Sequence, residues 1–266
     1  MTRAFRLAIS GASGRMGAAL LSLVRDDARF ELVHATVSPG SAHAGKPVYR
    51  DEVQTLRFAT DWAGAPTIDA IIDFSGPAGL AAVLDHAQAH GIAVVTGTTG
   101  LDATMEQRLK DAAQRIAVLR AANFSLGVAV LSRLLKEAAA ALDTWDLDIV
   151  EAHHSRKEDA PSGTALALGE AAAAARGATL EELAVYAREG RPGARKAGTI
   201  GFAVVRGGDI VGEHTAMLMG QGERVELTHR ATDRSIFARG ALESAAWIAG
   251  RASGAWTIDD VIAAKV

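Results

Sequence analysis

Through the first half of the chain, short apolar runs alternate with alanine-rich stretches of helical period. Phe5–Ser10, Glu31–Val37, Ala70–Phe74, Ala93–Thr96 and Ile116–Leu119 are dominated by apolar and β-branched residues, as strands buried on both faces require. Met16–Val24, Ala78–His90 and Asp102–Gln114 lie between several of them and have helical period. This alternation predicts a parallel sheet with right-handed crossovers, an α/β doubly wound domain of Rossmann type.

After Asn123-Phe-Ser the pattern changes. Leu126–Leu142 reads as a long amphipathic helix and Leu147–Glu151 as a strand. Thr199–Arg206, Asp209–Met219 and Arg224–Ala231 follow as extended runs separated by Gly207-Gly208 and Gly220-Gln221-Gly222. Glycine-punctuated strands in succession predict a mixed or antiparallel sheet, hence a second, α+β domain. Ile236–Ala249 returns to an alanine-rich helix expected to pack back on the first domain. Residues 187–198, rich in Gly, Arg and Lys, look like a mobile loop.

At 266 residues the chain has room for one large domain or two modest ones. A net charge of −3 supplies no basic field for nucleic acid or anionic lipid. The complete absence of cysteine removes disulfides, thiolate metal sites and thiol nucleophiles together. No apolar stretch is long enough to span a bilayer, and the first residues run straight into a strand, so the expected location is the cytoplasm.

Gly11-Ala-Ser-Gly-Arg-Met-Gly17 falls between a predicted strand and a predicted helix. Glycines there permit the tight turn and let the backbone approach a pyrophosphate resting on the helix N-terminus. The spacing Gly-x-x-Gly-x-x-Gly is one residue longer than the commonest dinucleotide loop. The second strand normally ends in an acid that accepts the ribose 2′-hydroxyl, but here it runs His34-Ala-Thr-Val-Ser-Pro-Gly-Ser41. Nothing at that point repels a 2′-phosphate; Ser38 or Ser41 could donate to one and Lys46 could offset its charge. NADPH is therefore expected to be accepted at least as well as NADH. Gly97-Thr-Thr-Gly100 and Ala121-Ala-Asn-Phe-Ser125 follow later apolar runs, and ligands of such sheets lie beyond the carboxyl ends of strands. Both loops are candidates for the same crevice.

The most chemically loaded segment is Glu151-Ala-His-His-Ser-Arg-Lys-Glu-Asp-Ala-Pro-Ser-Gly-Thr-Ala165. Its histidines, His153 and His154, titrate near neutral pH and can pass a proton; neighbours on a strand point to opposite sides, so their roles should differ. Lys157 can pair with a carboxylate or protonate a developing carbanion. Pro161-Ser-Gly-Thr has the form of a helix start, with proline in the first turn and a hydroxyl cap, leaving N–H groups at Gly163 and Thr164 for a carboxylate. His86 and His90 lie four apart on a helix, but the intervening Ala-Gln-Ala lacks a zincin glutamate; a solvated helix face accounts for them, and no metal is expected. The four tryptophans are scattered and read as structural.

These motifs resemble the bacterial dihydrodipicolinate reductase family over nearly the whole chain. The resemblance is carried by Gly-Ala-Ser-Gly-Arg-Met-Gly (11–17), Asp73-Phe-Ser, Gly97-Thr-Thr-Gly, Ala122-Asn-Phe-Ser, the 151–165 segment and Gly208-Asp-Ile-Val-Gly-Glu-His-Thr. It implies a dinucleotide-binding domain from 1–124 and 235–266, a substrate-binding domain from 125–234, and a homotetramer built through the latter. It implies His153 as proton donor and acceptor, Lys157 as a second proton donor, His154 as a substrate contact, and Gly163 and Thr164 as ligands of a substrate carboxylate. By the same resemblance NADPH or NADH would be lined by Gly11, Ala12, Ser13, Gly14, Arg15 and Met16, by Gly97, Thr98 and Thr99, and by Ala121, Ala122, Asn123 and Phe124. The substrate would be a dicarboxylate cyclic imine of the diaminopimelate route to lysine, reduced by hydride with a proton from the His153/Lys157 region.

Two departures from the family pattern stand out. Many members carry an acid where this chain has Val37, often followed by arginine. Many read His-His-Arg-His-Lys where this chain has His-His-Ser-Arg-Lys, so Ser155 removes a cation that Arg156 partly replaces. Rival chemistries lack their residues: neither Tyr49 nor Tyr186 is followed four positions later by the lysine of short-chain dehydrogenases, and a thioester-forming dehydrogenase needs cysteine. The alternative of another class is a non-catalytic NAD(P)-sensing protein of the same fold.

Overall fold

The computed structural model describes residues 3–49 and 56–265. It divides into two compact units, Met1–Leu126 with Ser235–Val266, and Gly127–Arg234.

The first unit begins β1 (Phe5–Ser10), α1 (Arg15–Arg25), β2 (Phe30–Thr36), β3 (Ala70–Asp73), α2 (Pro77–His90), β4 (Ala93–Thr96), α3 (Ala103–Ala113) and β5 (Ala117–Arg120). The second comprises α4 (Leu126–Ala141), β6 (Asp146–His153), α5 (Gly163–Ala175), α6 (Leu180–Leu183), β7 (Ala184–Val185), β8 (Ile200–Arg206), β9 (Gly212–Met219) and β10 (Arg224–Ala231). The chain then returns to the first unit with α7 (Ser235–Ile248), β11 (Gly254–Trp256) and α8 (Ile258–Ala263).

In the first unit six parallel strands run in the order β11-β5-β4-β3-β1-β2. Its central strands are apolar up to their carboxyl ends because helices cover both faces. Leu7, Ile9, Ile72, Val95 and Leu119 pack with α1 and α7, while Ala8, Ile71, Val94 and Val118 pack with α2 and α3. The predicted runs thus become β1 to β5, and β11 adds a short edge strand that no apolar run announced. Pairing stops at the carboxyl ends of β1, β3 and β4, which brings the loops starting at Gly11, Phe74 and Gly97 to one edge.

In the second unit the order is β10-β9-β6-β8-β7, mixed as expected: β6 pairs parallel with β8 and antiparallel with β9. The three late strands are not consecutive neighbours, because β6 separates β8 from β9. One face buries Leu147, Ile149, Phe202, Ala216 and Leu218 against α4 and α5. Strict alternation along β6 and β9 turns the other residues, Val150 and Met217 among them, to the opposite face. The 187–198 stretch is tied down rather than loose: Arg188 and Arg195 both pair with Asp148, at 3.0 and 2.6 Å, and Arg195 donates to the carbonyls of Leu147 and Thr199. Among the described residues no helix is long and apolar enough to cross a membrane.

Candidate active site

At the edge of the first sheet the Gly11 loop is built for close approach. Gly11 has φ +76°, and a Cβ there would lie 2.6 Å from the Phe74 carbonyl oxygen. A Cβ at Gly17 would collide with the Gly11 carbonyl, so the loop closes on α1 only without a side chain there. Gly14 caps α1 with no side-chain hydrogen bond, which leaves the first-turn amides for an anion.

Beside this loop lies a cavity of about 640 Å³, lined by Gly11, Ser13, Gly14, Val37, Ser38, Asp61, Trp62 and residues 74–79 among others. Trp62 and Asp61 reach its wall because Ala59 pairs with the end of β2, donating to the Ala35 carbonyl and accepting from Val37 N–H, both at 2.9 Å. Ser38 is on the wall, whereas Ser41 and Lys46 are not. Asp61 is the one acid lining it, and its carboxylate accepts from Ala63 N–H at 2.9 Å. His90 is exposed as expected, whereas His86 is half-buried: Trp62 stacks on it at 4.9 Å, and the two imidazoles are 4.3 Å apart.

The other predicted cofactor residues take distinct postures. Ser13, Arg15, Thr99 and Ala122 are exposed, and Met16 packs partly against the core. Ala12 and Phe124 are buried, Phe124 edge-on to Phe74 at 5.4 Å, so these two positions offer main chain rather than side chain. Asn123 turns its side-chain oxygen to Ser125 N–H at 2.8 Å. Thr98 is likewise turned inward, donating at 2.7 Å to the fully buried Asp73. Asp73 also accepts from Thr96 Oγ1 at 2.9 Å and Ser75 Oγ at 2.5 Å. That carboxylate ties together the loops after β3 and β4.

In the second unit, β6 ends at His153 and the loop beyond it is pegged to the turn before β9. His154 N–H donates to the Ile210 carbonyl at 2.8 Å, and Gly207 N–H to the His153 carbonyl at 3.0 Å. Glu151 and His153 are two apart on a strand and share a face. Glu151 is 1% exposed and surrounded by donors. His153 Nδ1 lies 2.6 Å from it, Arg206 donates both Nη atoms at 2.7 Å, and Ser162 N–H donates at 3.0 Å. Burial acts to raise the Glu151 carboxyl, but Arg206, His153 and the Ser162 amide together hold it below its ordinary value.

Ser162 caps α5, accepting from Ala165 N–H at 3.2 Å, and its hydroxyl lies 3.1 Å from His214 Nε2. The proline therefore precedes the cap instead of occupying the first turn. His214 packs edge-to-face on His153 at 5.2 Å. Burial, reinforced by His153 and opposed by Glu151, pushes His214 down to about 4, so it is neutral at physiological pH.

His154 has a solvent-shielded Nδ1 without a hydrogen-bond partner. Its pKa is lowered by desolvation, then by the charges of Arg156, Arg234, His153 and Lys157. Arg156 thus contributes to a cationic environment around His154. Lys157 Nζ pairs with Asp159 at 2.8 Å, and together with the Gly163 amide it lowers the Asp159 carboxyl. The carboxylate facing Lys157 and the start of α5 is therefore the chain's own. Ser162 caps α5 as the sequence suggested, whereas the roles of Glu151, Arg206, His214 and Arg234 escaped the sequence reading. Glu151 had a signal, two positions before His153 in a strand, but Arg206 and Ser162 reach it only through the fold.

Fold and site together define a class: one unit with a parallel, doubly wound sheet, and another with a mixed sheet that carries a histidine–lysine cluster. Two family models match, "Dihydrodipicolinate reductase, N-terminus" over residues 5–124 and "Dihydrodipicolinate reductase, C-terminus" over residues 127–262. The chain belongs to the dihydrodipicolinate reductase family. It is 47% identical over 264 residues to the 4-hydroxy-tetrahydrodipicolinate reductase of Thiobacillus denitrificans, covering 98% of this chain and 99% of that one. The same-named protein of Cupriavidus metallidurans is 46% identical, at 98% and 100% coverage. A solved dipicolinate-bound dihydrodipicolinate reductase from Paenisporosarcina shares the fold, with TM-score 0.77 at 21% identity over 96% of this chain and 98% of that chain.

Proposed function

We propose that this chain is an NAD(P)H-dependent oxidoreductase that reduces 4-hydroxy-tetrahydrodipicolinate to tetrahydrodipicolinate in the diaminopimelate route to lysine, working in the cytoplasm. The observation that carries the reading is the second unit's cluster, where a buried carboxylate holds His153 beside Lys157, His154 and the start of α5. That cluster sits in a chain 45–47% identical to 4-hydroxy-tetrahydrodipicolinate reductases over nearly its full length.

The glycine cradle and the uncapped start of α1 fit a dinucleotide. Gly11, Ala12, Ser13, Gly14, Arg15 and Met16 would hold its pyrophosphate; Gly97, Thr98, Thr99 and Ala121, Ala122, Asn123 and Phe124 would supply the neighbouring strand ends. When bound, the nicotinamide supplies hydride to a ring carbon of the substrate. His153 delivers the proton, with Lys157 as the second donor and His154 contacting the ring substituents. Lys157 and the Gly163 and Thr164 amides offset a substrate carboxylate, which takes over the partners now held by Asp159.

β2 ends without an acid and Ser38 lies on the cavity wall as a hydrogen-bond donor, which supports use of both cofactors with NADPH accepted at least as well as NADH. The outer face of the second sheet, where the exposed Val205 pairs with Ala152 and Val150 pairs with Ala203, supports a homotetramer built through this unit.

The test is NAD(P)H oxidation with the cyclised product of aspartate semialdehyde and pyruvate, run with both cofactors. His153→Ala and Lys157→Ala should each lower kcat by about 10²–10⁴-fold while NADPH binding is retained. Cofactor binding without turnover in the wild type would instead mark a sensor.

A further inference from the structure

We propose that Glu151 is a positioning residue for the reaction: held ionised by Arg206, it fixes His153 in the Nδ1–H tautomer and leaves Nε2 as the nitrogen that exchanges the proton. The proposal rests on His153 being the proton donor.

The geometry keeps Glu151 from acting on substrate directly. It is 1% exposed, so it meets no substrate, and its oxygens are occupied by Arg206, the Ser162 amide and His153 Nδ1. A carboxylate in that setting is an acceptor only, so the nitrogen 2.6 Å away carries the hydrogen. That removes one tautomer and stabilises the imidazolium that precedes proton delivery. Nε2 then faces the space beside Gly212, where a Cβ would come within 3.0 Å of it.

Every element around His153 is consistent with a ring that must gain and lose one proton. Glu151 on β6 supplies the negative charge, and Arg206 on β8 keeps that charge from being lost to a proton. His214 on β9 is neutral, so it adds no competing cation. On the following loop, His154 feels the charges of both His153 and Lys157. Arg206 also donates to the Asp159 carbonyl at 2.7 Å. It thereby fastens the loop that carries Lys157 to the same anchor that orients His153.

Two measurements test this. In wild-type protein labelled with ¹⁵N-histidine, the neutral His153 ring should carry its proton on Nδ1, facing Glu151; a neutral ring with the proton on Nε2 overturns the proposal. Glu151→Gln should lower kcat by about 10²–10³-fold while the KM for the cyclic substrate and NADPH binding stay unchanged. Adding Glu151→Gln to His153→Ala should cost nothing further. If His153→Ala turns over normally, the assignment of His153 fails. If His153→Ala is crippled while Glu151→Gln keeps the wild-type kcat, only the positioning role of Glu151 fails. If Glu151→Gln does not fold, the wild-type tautomer decides alone.

Discussion

Acidification between about pH 6.5 and 4 should weaken the second unit through a single buried histidine. His214 is 4% exposed, and its pKa falls from 6.5 to about 4 in the folded chain. The unfolded state therefore binds a proton that the folded state refuses. Stability is fully present above pH 6.5 and is lost as pH falls toward 4. An interval of about 2.5 pH units at about 1.4 kcal/mol each sets a limit of between about 3 and about 4 kcal/mol, of which about 3 is lost by pH 4. Such a loss is a large fraction of a typical domain stability. His214→Gln keeps a polar group beside Ser162 but cannot titrate. Urea unfolding of both proteins, followed by circular dichroism at several pH values across this window, isolates the effect, since the other histidines and carboxylates cancel in the difference. The wild type should lose about 3 kcal/mol relative to the variant on going from neutral pH to about 4. Parallel stability curves, or a His214 ring resonance with its midpoint near 6.5, would refute the reasoning.

Asp159→Asn should lower KM for the dicarboxylate substrate. The Lys157–Asp159 pair is largely solvated, with the Asp159 side chain 58% exposed, so its removal frees no more than about fivefold in affinity; an unchanged or raised KM would mean that Asp159 does not compete for the carboxylate site. Ser38→Asp places an anion on the wall of the cavity beside β1 and β2, and kcat/KM for NADPH should fall about tenfold or more while that for NADH changes little. Equal losses with the two cofactors would move the 2′-phosphate away from this wall.

The glutamate–histidine pair explains why so many polar groups are buried in one small region. Glu151, His153, Ser162 and His214 are all at most 9% exposed, and leaving any of them unpaired there would be costly. Ser162 serves two purposes at once. Its amide satisfies Glu151 and its hydroxyl caps α5, so the helix start is locked to the base that orients His153. A packed core of alanine and leucine beneath β6 keeps those positions from drifting.

Local pattern alone marked out most of this molecule. Apolar runs and helical period located β1 to β5 with their helices, because a sheet covered on both faces demands uninterrupted apolar strands. Glycine spacing located the nucleotide loop, because only glycine tolerates that approach of backbone to backbone. Elements without such a demand stayed hidden: β7 and β11 are two and three residues long and exist only because β8 and β5 offer free edges. The same holds at the site. His153, His154 and Lys157 could be read from one short segment, and Glu151 from the two-residue period of the strand. Arg206 and His214 lie 55 residues from Glu151 and 52 from Ser162, and nothing local relates them. Which strands flank β6 decides that a cation and a neutral imidazole, rather than solvent, surround His153. The order of strands in a sheet is set by long-range packing, and so the chemistry of that histidine was settled only by the tertiary structure.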